Sequence, residues 1–396
     1  MVAAGAFVSG SGKHLVKKEM PPTCAVLLAG GRGTRFWPRS RMQTPKQLLN
    51  IVGNKTMLRE TVERLAPIIP SRNFWVVTNA EQSASVRREL RGVPANQILA
   101  EPVGRNTAAA IGLAAIHLAR KYGDALMAVL PADSYIADAA RYRGLIRAAV
   151  ELARTPGNMA VLGLAPTRPE TGYGYIERGG VFARARGVAA YDVRRFTEKP
   201  SLAVARKYIA SGKHLWNAGM FVWRASTFLD ALERFLPATH AALTELAKTI
   251  GTRRYASALR RIYSRLENIS VDYAVMEPAT RSESRAARKR KSAGESSIHV
   301  SVIPAKVGWS DIGSWAAVHE LRALKPGANV SAGPIFAADA SGNYFWSPKK
   351  FVAAIGVHDL VLVETDDAIL LCPRERSQDV GKIVKWLEEQ KHKHLL

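Results

Sequence analysis

Cysteine is nearly absent from this 396-residue sequence, Cys24 and Cys372 being the only two. No disulfide framework can be drawn from them, and a reducing cytoplasm is the expected setting. Long hydrophobic runs are also missing. A membrane-spanning helix needs roughly 18 to 20 apolar residues, whereas the longest candidate, 108–119, is shorter and interrupted by His117. No membrane partner is expected. Residues 1–22 carry Lys13, Lys17 and Lys18 but no apolar segment or cleavage site, which excludes a secretory signal and leaves a loose leader. Acidic residues are scarce: 33 Asp and Glu stand against 57 Lys and Arg, a net charge of +24. Such an excess raises nucleic-acid binding as a reading. However, no basic patch is interleaved with aromatics. The densest cluster (Arg281, Arg285, Arg288, Lys289, Arg290, Lys291) runs into the Ser- and Gly-rich residues 292–297. Segment 281–297 has the composition of a solvated, disordered loop, so a nucleic-acid partner is not expected.

What is present is a chain, 47% hydrophobic, long enough for one large core and a smaller second domain. Short apolar runs at 25–29, 74–78, 126–130 and 159–164 alternate with helical patterns at 55–67, 106–122 and 139–153. That alternation predicts βαβ units and an α/β, Rossmann-like mixed, mainly parallel sheet flanked by helices. Residues 173–199 and 216–224 read as strands returning to the same sheet, followed by helices to about 266. The expected first domain therefore covers 23–325. Beyond Pro326, strand-like runs at 352–357, 360–364 and 368–372 are separated by Gly, Asp and Asn turns, predicting a small β domain over 326–396. At its end, Val380, Ile383, Val384 and Leu387 share one helical face, as in a packing or dimerisation helix.

The segment that points to chemistry is Ala29-Gly30-Gly31-Arg32-Gly33-Thr34-Arg35, with Arg41 and Lys46 close behind. A strand breaking into glycines lets several backbone N–H groups approach an anion, while the basic residues offset its charge. It is not a P-loop, because Gly33 is followed by Thr34-Arg35 rather than Lys-Ser/Thr. Nor is it a dinucleotide fingerprint, since Phe36 occupies the third glycine position. Ligands of such sheets sit beyond the carboxyl ends of the strands, and both this turn and Asp133 (Leu130-Pro131-Ala132-Asp133) follow a strand directly. Asp311, in Trp309-Ser310-Asp311-Ile312-Gly313, is a candidate partner of Asp133. Two carboxylates with phosphate oxygens and waters suit Mg2+; the plainer alternatives are a helix cap at Asp133 and a turn former at Asp311.

The run from Gly30 to Gln47, including Phe36-Trp37-Pro38-Arg39-Ser40-Arg41, resembles the signature of sugar-nucleotide pyrophosphorylases, specifically bacterial mannose-1-phosphate guanylyltransferases. Further similar blocks follow in order: Glu101-Pro102-Val103-Gly104-Arg105-Asn106-Thr107, Thr171-Gly172-Tyr173-Gly174, Phe196-Thr197-Glu198-Lys199-Pro200, Trp216-Asn217-Ala218-Gly219, Ser270-Val271-Asp272-Tyr273 and Gly308-Trp309-Ser310-Asp311. The resemblance spans about 23–320, and relative to it 281–297 is an insertion. It implies Ala29, Gly30, Gly31, Gly33, Thr34, Glu101, Arg105, Asn106 and Thr107 at the nucleotide, and Gly172, Glu198, Lys199 and Asn217 at the sugar phosphate. Asp133 and Asp311 would hold the metal, and Arg35, Lys46 and Lys199 would be catalytic. It also implies a left-handed β-helix-like C-terminal domain. Ser134 and Thr197 depart from the family, which commonly has histidine and valine there, but neither change removes a charge that catalysis needs. The chain has no room for the isomerase domain of longer bifunctional relatives, so a single activity is expected.

The implied reaction is in-line attack by mannose 1-phosphate on the α-phosphorus of GTP, giving GDP-mannose and pyrophosphate with Mg2+. The attacking oxygen is already anionic, so positioning and charge neutralisation suffice. Another nucleoside triphosphate and hexose 1-phosphate pair, or a non-catalytic regulatory subunit on the same fold, stay open, as does a homodimer.

Overall fold

A computed structural model describes residues 20–282 and 298–396; most of the basic 281–297 segment and of the leader lies outside them. Seventeen strands are described. The first eleven are β1 (Thr23–Leu28), β2 (Phe74–Asn79), β3 (Ile98–Glu101), β4 (Leu126–Pro131), β5 (Tyr135–Ile136), β6 (Asn158–Leu164), β7 (Tyr175–Ala185), β8 (Val188–Thr197), β9 (His214–Arg224), β10 (His299–Ala305) and β11 (Trp309–Ser310). Nine of them form one sheet in the order β3-β2-β1-β4-β9-β6-β10-β8-β7. It is parallel from β3 through β4 and again between β6 and β10, and antiparallel where β9 enters beside β4.

Side chains alternate across a strand, and the sheet is buried on both faces. Cys24, Val26, Met127 and Val129 join one core with helices Asn106–Tyr122, Ala225–Phe235 and Pro237–Ala247. Ala25, Leu27, Ala128 and Leu130 join the other with Met57–Leu65 and Ala139–Ala153. Helices 106–122 and 139–153 match their sequence-predicted bounds. The alternation did not show β3, a four-residue strand entered from a short turn after Pro94.

In the C-terminal part, β12 (Val330–Ala332), β14 (Tyr344–Trp346) and β16 (Leu360–Glu364) pair in parallel register, as do β13 (Ile335–Ala338) and β15 (Val352–Ile355). Parallel stacking of successive short strands is the β-helix arrangement. Strand β17 (Ile369–Pro373) closes the edge antiparallel to β16. A third core crosses between the two parts of the chain: Phe36, Trp37 and Met57 pack with Trp315, Tyr344, Val361, Val380, Val384 and Leu387. The terminal helix Val380–Glu389 thus turns its apolar face onto its own chain.

Candidate active site

The glycine turn leaves β1 and is shaped by Gln47, whose amide donates to the carbonyls of Ala29 at 2.7 Å and Gly31 at 3.1 Å. The Ala29 carbonyl also accepts from Thr78. Gly33 has φ 63°, and a Cβ there would stand 2.3 Å from Cβ of Lys46, so only glycine lets the turn lie against Lys46.

Lys46 is buried, and its ammonium ties together the loops of Asp133 and Asp311. It donates to Asp133 Oδ2 at 2.8 Å, to the Asp133 carbonyl at 3.1 Å and to the Asp311 carbonyl at 2.5 Å. Three acceptors match the three donors of an ammonium. The two loops meet because β5, two residues after Asp133, pairs with β11, directly before Asp311. The Asp133 side chain is 38% exposed; it is paired and faces the cleft rather than lying buried alone. Asp311 Oδ1 accepts from the Tyr173 hydroxyl at 2.7 Å. Burial and this carboxylate push the Tyr173 phenol well above its ordinary value, so it remains a donor. Arg35 lies beside Asp311: its Nη1 and Asp311 Oδ2 both fall within 3.4 Å of where a Cβ on Gly313 would stand.

On the side of β3, Glu101 is buried and accepts from the Tyr263 hydroxyl at 2.6 Å. Burial raises its carboxyl to about 7. Its Oε2 lies 3.1 Å from a Cβ position on Gly30, against the glycine turn. Asn106, at φ 62°, turns its side chain onto the Thr107 amide, and Thr107 accepts from the Val271 amide at 2.8 Å. Arg105 donates to the Ser264 carbonyl. These three side chains are therefore engaged in building the mouth of helix Asn106–Tyr122.

A second cluster forms where the end of β8 lies beside the start of β7 and residue Asn217 within β9. Lys199, at φ 48°, reaches Glu198 Oε1 at 3.2 Å. Glu198 Oε2 is buried with no hydrogen-bond partner among the described residues. Burial, then the neighbouring Asp272, raises the Glu198 carboxyl to about 7. A Cβ on Gly174 would stand 2.4 Å from Oε2, so glycine is what lets the carboxylate lie over the chain. Asn217 is fixed at both ends of its amide, donating to Asp272 Oδ1 at 2.7 Å and accepting from the Gly219 amide at 3.0 Å. The amide of Gly172 donates to Glu170 at 3.1 Å.

Three participants carried no role in the sequence reading. Tyr173 lay inside a quoted motif between two glycines, and Asp272 opens a π-helical turn (Asp272–Met276), a distortion frequent at functional sites. Tyr263 had no signal at all. Among the described residues no group of three or more His, Cys, Asp or Glu could by itself hold a metal. Asp133 and Asp311 alone offer two hard oxygen ligands, and a Mg2+ bound there would take its remaining ligands from substrate phosphates and water.

Residues 24–325 match the model of the nucleotidyl transferase family and 335–387 that of a MannoseP isomerase/GMP-like beta-helix domain. A mannose-1-phosphate guanylyltransferase of Salmonella muenchen is 38% identical over 92% of this chain and 73% of its own length. The xanthan biosynthesis protein XanB of Xanthomonas campestris pv. campestris (strain B100) is 36% identical over 93% of this chain and 74% of its own. A crystal structure of mannose-1-phosphate geranyltransferase from Thermus thermophilus superposes with a TM-score of 0.79 at 35% identity, covering 92% of this chain and 99% of that one.

Proposed function

Because the chain belongs to the nucleotidyl transferase family and, within it, to the mannose-1-phosphate guanylyltransferases, we propose that its cleft makes GDP-mannose and pyrophosphate from GTP and mannose 1-phosphate. The observation that carries this reading is the Lys46 ammonium joining the Asp133 and Asp311 loops beside the glycine turn. It sets cationic and metal-ligating groups at one point, where a polyanion reacting with a phosphate monoester needs both.

The triphosphate is assigned to the turn of Gly30, Gly31, Gly33 and Thr34 and to Arg35. Glu101 lies on the nucleotide side, with Arg105, Asn106 and Thr107 shaping its rim. Mannose 1-phosphate is assigned to Lys199, Glu198, Asn217 and the backbone at Gly172. The unpartnered Glu198 Oε2 supplies an acceptor for a sugar hydroxyl. The donor set of Asp133 and Asp311 fits Mg2+, which when bound there would draw charge from the phosphates. Arg35 and Lys46 offset the charge developing on pyrophosphate, and Lys199 holds the attacking phosphate in line. No residue is needed as a general base, because the nucleophile arrives ionised. Among the described residues no helix is long and apolar enough to cross a membrane, and Cys24 and Cys372 are free thiols; both features fit a cytoplasmic enzyme.

Glu198 provides the test. Below about 7 its carboxyl is protonated in the free protein, and above that it is ionised and can accept from two hydroxyls. In pyrophosphate-release assays the KM for mannose 1-phosphate should rise as pH falls through about 7. Glu198→Gln should raise that KM roughly ten- to a hundredfold at pH 8, the worth of a charged hydrogen bond. In that variant the pH component belonging to Glu198 should vanish, while the KM for GTP should hold. The substrate's own phosphate titrates equally in both proteins. A release rate indifferent to mannose 1-phosphate would contradict the proposal.

A further inference from the structure

The turn that carries Arg35 is built into the core of the C-terminal part of the chain. Phe36 packs edge-on against Trp315 at 4.9 Å between ring centres, and Trp315 stacks on Tyr344 at 5.6 Å. The terminal helix crosses the turn so closely that a Cβ on Gly381 would stand 3.4 Å from Thr34 Oγ1 and 4.0 Å from Arg35 Cγ. On the same helix Glu388 pairs with Arg32 at 2.6 Å. The Arg35 guanidinium itself is exposed to the cleft. Among the described residues its hydrogen-bond partner is Gln378, whose Oε1 accepts from Nη1 at 2.7 Å across 343 positions of sequence.

We infer that Gln378, on the C-terminal part of the chain, is a positioning residue that aims the Arg35 guanidinium at the triphosphate. This rests on the reading above that Arg35 meets the triphosphate. The chemistry of the pair fits orientation rather than neutralisation. A guanidinium has five N–H donors, so one bond to Gln378 leaves four for phosphate oxygens. The acceptor is a neutral amide, so the positive charge stays available, whereas a carboxylate in its place would compete with the substrate for it. The tether also holds Nη1 on the side of Gly313 where Asp311 Oδ2 lies. An otherwise exposed arginine would have to be ordered by each incoming nucleotide, and anchoring it in advance removes that entropy loss from binding.

The experiment measures kcat and both KM values in the full chain for Gln378→Ala, Arg35→Ala and the double variant, with thermal melts alongside. Gln378→Ala should raise the KM for GTP roughly three- to tenfold, the effect of releasing one long side chain, and leave the KM for mannose 1-phosphate unchanged. In the Arg35→Ala background the same change should have no further effect, because its partner is gone. A Gln378→Ala protein with wild-type KM for GTP beside an impaired Arg35→Ala overturns the positioning role. So does a defect that persists undiminished in the double variant or strikes both substrates alike. If Arg35→Ala itself keeps the wild-type KM for GTP, the placement of Arg35 is wrong and the inference falls with it.

Discussion

Asp133→Asn is expected to fold like the native protein and to turn over about 10³-fold more slowly, the loss of roughly 4 kcal/mol of charge stabilisation in the transition state. Asparagine keeps an oxygen for Lys46, and Lys46 keeps the carbonyls of Asp133 and Asp311 at 3.1 and 2.5 Å. The stability cost should therefore stay at about 1–3 kcal/mol, since the buried Lys46 ammonium loses its anionic partner but keeps three oxygen acceptors. What disappears is one of the two carboxylates proposed to hold a divalent cation. Steady-state pyrophosphate release at saturating Mg2+, with a melting curve, separates the two effects. Divalent-cation binding by calorimetry in the presence of GTP supplies a readout independent of turnover. Near wild-type turnover in a folded, metal-saturated protein would contradict the assignment of Asp133.

The second large effect is expected at Lys46. Methionine fills the same channel without charge, so Lys46→Met should lower turnover by about 10²- to 10³-fold, because the positive charge near the developing anion is lost and the loops that Lys46 ties together are released. It should also reduce stability by about 1–3 kcal/mol, because the Asp133 and Asp311 loops lose their common donor. Arginine should not rescue it. The three acceptors converge on a single point, which suits a compact ammonium and not a planar fork. Gly33 against Cβ of Lys46 also leaves no slack for the side chain to shift. A Lys46→Arg protein with native turnover would show that only the charge matters and that the converging geometry does not.

How far the sequence disclosed this arrangement follows from the range of each interaction. Helices 106–122 and 139–153 were legible because their apolar periodicity is local and their ends are marked, by Asn106 and Gly123 in one case and Asp138 in the other. The short strand β3 was not, since four residues carry too little pattern. Asp133 and Asp311 could be proposed as a pair from their resemblance to a family. The meeting of their loops depends on a two-residue ladder between β5 and β11 that no local pattern encodes. Asp272 and Gln378 reach distant partners, Asn217 and Arg35, which no local pattern signals. The third core is the largest such case: Phe36 and Trp37 come from the start of the chain and Tyr344 and Val380 from its end. That packing crosses residue 325 and holds the glycine turn against the C-terminal strands.

The most direct test of the central claim is pyrophosphate release with Mg2+ across GTP, UTP, dTTP, ATP and CTP, each combined with the 1-phosphates of mannose, glucose, galactose and fucose. One dominant rate, at GTP with mannose 1-phosphate, is the predicted result. A dominant rate at another pair would contradict the substrate assignment while leaving the catalytic arrangement standing, and no release from any pair would contradict the proposal that this cleft is catalytic.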